Sequence, residues 1–100
     1  MKERINKFEM LGFTYNVIYQ DKVYHHDSSE WVFGKLSTST RTIYISTKNS
    51  NNVDLSEDVI QNTVFHELIH AILEEGQYCN SSCDEPLVEW IAKNIRYLFE

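Results

Sequence analysis

Thr63-Val64-Phe65-His66-Glu67-Leu68-Ile69-His70-Ala71-Ile72 wraps helically spaced apolar residues around a His-Glu-x-x-His core. Ile60, Val64, Phe65, Leu68, Ile72 and Leu73 fall on one stripe of the helix to which this stretch belongs. Asp54 or Ser56 serves as its cap, Glu57 and Asp58 suit its first turn, and Gly76 is a natural stop. One turn separates His66 from His70, so both imidazoles leave the same face, on the shoulder of the apolar stripe. A pair placed in this way can hold one tetrahedral ion, and zinc is the expected one. Glu67 projects beside it, placed to act as a base toward water whose pKa the ion lowers from about 15.7 to ~7.

A site of this kind needs a third protein ligand and an open fourth position. No histidine follows His70, which excludes a closely spaced third histidine. The next helix has Pro86 in its first turn and Leu87, Val88, Ile91, Ile95 and Leu98 as its buried stripe, and it offers Asp84, Glu85 and Glu89. A helical wheel puts Glu85 nearer that stripe, beside Ala92 and Phe99, and Glu89 further toward solvent. Glu85 is then the ligand and Glu89 the group that orients a histidine. If the two helices run level, Glu89 lies closer to the depth of His70 and becomes the alternative third ligand. For a single acid the plain reading is a solvated carboxylate favoured by the helix dipole.

Upstream the chain changes character. Phe13–Gln20, Glu30–Ser37 and Arg41–Ser46 are rich in aromatic and β-branched residues and read as strands, with Gly12 opening the first and Gly34 a candidate bulge. Ser37–Thr40 makes a turn, and Lys48–Val53 is a polar loop into the helical half. The expected fold is α+β: a small three-stranded antiparallel sheet over residues 13–46, packed against two helices over residues 55–99. Residues 1–11 form an N-terminal segment with a possible short helix, and residues 1–100 make one domain.

The chain of 100 residues has a net charge of −6, which speaks against nucleic acid as a partner. No apolar run is long enough to span a membrane. Lys2, Arg4 and Lys7 are not followed by an apolar segment, so no signal peptide is read and a cytoplasmic location is expected. Cys79 and Cys83 are expected as free thiols, a lone Cys-x-x-x-Cys being a weak metal or disulfide signal. His25-His26 reads as an exposed polar loop. Trp31 and Tyr44 read as sheet or core residues.

Thr63-Val-Phe-His-Glu-Leu-Ile-His-Ala-Ile72 followed by Asp84-Glu-Pro-Leu-Val-Glu-Trp-Ile-Ala92 resembles the small phage-encoded and mobile-element metallopeptidases related to ImmA/IrrE-type gluzincins. In such gluzincins the third ligand is a Glu, with a polar residue one turn later and a small residue three beyond. Glu85, Glu89 and Ala92 match that pattern. The resemblance implies a zincin-like fold and zinc-dependent hydrolysis of peptide bonds in a peptide or protein substrate. It also implies a Tyr or His that stabilises the oxyanion, for which His25, His26 and Tyr78 are the candidates. It further implies a phage or mobile-element setting in which a host protein or a repressor is cut. The short loop between the two helices departs from the family. An extended substrate is expected to lie along an open sheet edge. The rival reading is a zinc-stabilised binding module without turnover, which the presence of Glu67 disfavours, since a structural zinc is closed by four protein ligands and needs no base. A metal-free adaptor is the third. Oligomeric state is not legible.

Overall fold

The computed structural model describes residues 4–10, 12–25 and 27–98, and the Cys79 side chain lies outside that description. The chain folds as α+β, in the order β1 (Lys7–Met10), β2 (Phe13–Gln20), β3 (Val23–Tyr24), β4 (Trp31–Val32), β5 (Gly34–Ser37), β6 (Thr42–Ser46), α1 (Glu57–Glu75), α2 (Cys79–Ser82) and α3 (Glu85–Leu98).

The sheet differs from the expected one. It has four strands in the order β1-β2-β6-β5, and β2 pairs with β6 in parallel while the outer pairs are antiparallel. Part of the expected N-terminal helix is instead an edge strand, β1, whose Phe8 and Met10 turn inward over the helices. Gly12 closes the β1–β2 turn with φ 81°, a backbone that L-residues rarely adopt. The expected strand over 30–37 breaks at Phe33, and its first half joins β3 in a separate two-stranded ribbon. That ribbon lies within the long connection that a parallel pair requires. Ser46 joins the two sheets: its buried hydroxyl accepts from Val23 N at 2.8 Å and donates to Val32 O at 2.7 Å.

Two apolar layers hold the domain. Val17, Ile43 and Ile45 of the sheet meet Ile60 and Val64 of α1, while Phe65, Leu68 and Ile69 on another face of α1 meet Val88 and Ala92 of α3. α1 is thus covered on two sides, which is why its apolar residues run around much of its girth. Ile69 and Ala71 are buried although they lie off the expected stripe, and Ile72 is 39% exposed. On α3, Leu98 is 82% exposed, because Arg96 already reaches Asp58 in the first turn of α1 and the antiparallel partner ends there. Ser56 is the cap, its Oγ accepting from Val59 N at 3.2 Å; Asp54 instead pairs with Lys48. The helix ends at Gly76, but the left-handed residue is Gln77, at φ 64°.

No helix among the described residues is long and apolar enough to cross a membrane.

Candidate metal centre

His66 and His70 leave α1 on the side where α3 begins, and both rings are largely buried. Their Nε2 atoms face each other at 3.2 Å. Into the same gap comes Glu85, from the first turn of α3, with Oε2 at 2.8 Å from His66 Nε2 and Oε1 at 3.2 Å from His70 Nε2. Three ligand atoms lying within 4.8 Å of one another form a group that can hold a metal ion.

The far nitrogens carry the argument further. Ser82, buried at the end of α2, stands 3.0 Å from His70 Nδ1 through its hydroxyl. Glu89 Oε2 lies 3.4 Å from His66 Nδ1, and Glu89 is itself held by Asn62, whose Nδ2 donates to Oε1 at 2.9 Å. A carboxylate draws a proton to the nitrogen it faces, and the serine can accept one likewise. Glu85 faces both Nε2 atoms and can draw a proton there when no ion is bound. In the tautomer with the proton on each Nδ1, both Nε2 lone pairs and the Glu85 carboxylate converge on one point. Three acceptors aimed at one another are repulsive unless a cation stands between them. Zinc–nitrogen bonds of about 2.0–2.1 Å in tetrahedral array put neighbouring ligand atoms roughly 3.3 Å apart, close to the spacings here. The donor set can therefore hold a metal ion.

Glu67 is buried, at 8% exposure, and still lines the cleft that holds the histidines. Burial pushes its carboxyl up to about 7, with His66 opposing the rise and the negative charge of Glu85 adding to it. Burial also holds the His70 imidazole below its usual value, against the pull of Glu85. A neutral imidazole is the form that binds metal.

The cleft has a volume of about 930 Å³. Its floor is α1, one wall is the β4–β5 rim from Trp31 to Gly34, and the other is α3 from Glu85 to Tyr97. Gly34 is required where the rim touches the helix, since a Cβ there would stand 2.9 Å from Thr63 Cγ2 and 3.0 Å from Tyr44 O. The rim is fixed at its other end by Trp31 Nε1, which donates to Lys48 O at 3.0 Å.

The structure therefore brings His66, His70 and Glu85 together, places Glu67 beside them and sets Glu89 against the outer nitrogen of His66. The wheel argument for Glu85 fails all the same, because Glu85 is 63% exposed and Glu89 38%. Glu85 reaches the histidines from the first turn of α3 although it is the more exposed of the two acids. Neither His25 nor Tyr78 lines the cleft, His26 lies outside the described residues, and Cys83 is a free, exposed thiol. Trp31 lines the cleft rather than filling the core. Ser82, Asn62, Lys93 and Tyr97 had no signal in the sequence as site residues. Comparison of the chain with models of known protein families, with curated proteins and with solved structures finds no match.

Proposed function

We propose that this protein is a zinc-dependent peptidase with His66, His70 and Glu85 as ligands and Glu67 as the catalytic base. One observation carries the reading: two Nε2 atoms and a carboxylate converge while a buried glutamate lines the same open cleft. Zinc bound there would polarise the scissile carbonyl and acidify the attacking water. Glu67 takes one proton from that water as its oxygen bonds to the carbonyl carbon. It then delivers the proton to the amide nitrogen as the C–N bond breaks, leaving a carboxylic acid and an amine.

Glu89 and Ser82 hold the imidazoles in the orientation and tautomer that the ligand role requires. β5 is the sheet edge that borders the cleft through Gly34, and its outward backbone groups can pair with an extended peptide. The resemblance to ImmA/IrrE-type gluzincins supports a protein substrate, a repressor or host protein in a phage or mobile-element setting.

The test is hydrolysis of a mixed peptide library by zinc-loaded protein and by Glu67→Gln with equal zinc content. Cleavage that falls at least a thousandfold in the variant supports the peptidase. Zinc bound at one per chain with no cleavage by either protein favours the non-catalytic binding module.

A further inference from the structure

Away from the histidines the cleft changes chemistry. Phe33 of the rim, Val59 of α1 and Tyr97 of α3 all line it, and they are 50%, 36% and 77% exposed. Three elements far apart in the chain thus present large apolar surfaces to one space. On the rim side Phe33 packs edge-on against Trp31 at 4.6 Å between ring centroids, and Trp31 is itself tied to Lys48 O.

Charge changes along the same wall. α3 presents Glu85, then Glu89, then Lys93 to the cleft, one turn apart. Beyond them Arg96 is occupied by Asp58. Lys93 is exposed and makes no ion pair among the described residues, on a chain whose net charge is −6. Its eight-residue separation from Glu85 corresponds to about 12 Å of helix, or three to four residues of an extended peptide.

We propose that this end of the cleft is a specificity subsite, resting on the peptidase reading, that selects a large apolar side chain with an acidic residue beside it. The apolar side chain lies between Phe33, Val59 and Tyr97, and the acidic one meets Lys93. Both sit three to four residues from the cleaved bond.

The experiment has two arms. In the first, zinc-loaded protein cuts a random decapeptide library and the products are sequenced. Several-fold enrichment of Phe, Tyr, Leu or Met next to Asp or Glu is expected at one fixed distance from the cut. Phe33→Ser and Tyr97→Ser should erase the apolar preference, and Lys93→Glu should turn the acidic preference basic, each at unchanged zinc content. Cleavage without that enrichment, or enrichment indifferent to these variants, overturns the subsite while the peptidase stands. In the second arm, fluorescent decapeptides carrying Phe-Asp, Asp-Phe or Ser-Lys are bound to zinc-loaded Glu67→Gln. Binding at least tenfold tighter for one Phe/Asp order than for Ser-Lys supports the subsite even if the first arm shows no cleavage. Equal affinities, or no binding, overturn it.

Discussion

His66 Nε2 and His70 Nε2 stand 3.2 Å apart with the Glu85 carboxylate against both, while the two Nδ1 atoms face Glu89 and Ser82. The converging groups and the groups behind them come from three successive helices, so the spacing of α1, α2 and α3 sets the geometry of the group that could hold a metal ion.

Ser82→Ala and Glu89→Ala should each weaken zinc binding by roughly 10- to 100-fold without abolishing it. Asn62→Ala should act in the same direction and less strongly, since it reaches the site only through Glu89. Competition with a chelator of known affinity measures the difference. Unchanged affinity in Ser82→Ala and Glu89→Ala would remove these two residues from the positioning role.

Gly34→Ala should destabilise the fold by about 1–3 kcal/mol, because the added methyl meets Thr63 and the carbonyl of Tyr44. Adding Thr63→Ser removes the shortest of the three close approaches, Ile45 Cδ1 at 3.2 Å being the third, and should restore part of the loss. Urea unfolding of the single and double variants reads both effects.

Glu67 has the opposite relation to stability. Its folded value, raised to about 7, lies above that of an unfolded glutamate, so folding favours its proton. Stability of the metal-free protein must then fall as pH rises from roughly 4.3 toward 7. Glu67→Gln should accordingly raise the melting temperature of metal-free protein at pH 8 and change it little at pH 4. A lower melting temperature for the variant at pH 8 would contradict the burial argument.

Tyr15, almost fully buried, donates to Glu75, whose carboxylate also takes Arg41 Nε at 2.8 Å, tying β2 and the entry to β6 to the end of α1. The hydrogen bond from Tyr15, then that from Arg41, holds Glu75 below the usual carboxylate value. Its contribution is therefore present above about pH 4.3 and lost as pH falls through the lower folded value. Burial pushes the Tyr15 phenol up to about 12, so stability falls again as pH rises from roughly 10 toward 12. Tyr15→Phe should cost about 1–2 kcal/mol at pH 7 and less at pH 3, measured by thermal unfolding.

The sequence speaks most clearly where period and motif coincide. α1 and α3 could be read because apolar residues recur at helical spacing and the two histidines share a turn. Strand alternation shows which face is buried but not which way a neighbour runs, so the parallel pairing of β2 with β6 stayed hidden. β1, β3 and β4 are too short to display a period, and Lys7–Met10 reads as easily as a helical turn. The helical wheel favours Glu85 on burial, and the structure reverses that burial, since a wheel carries no information on how far one helix slides along another. Ser82 and Asn62 are common polar residues whose importance lies in what they touch.

Zinc titration of purified protein, wild type beside His66→Ala and Glu85→Ala, tests the central claim most directly. The account predicts about one zinc per wild-type chain and loss of tight binding in both variants, with the fold retained by circular dichroism. A wild-type protein that stays metal-free in excess zinc, or a Glu85→Ala variant that binds as tightly as wild type, would contradict it.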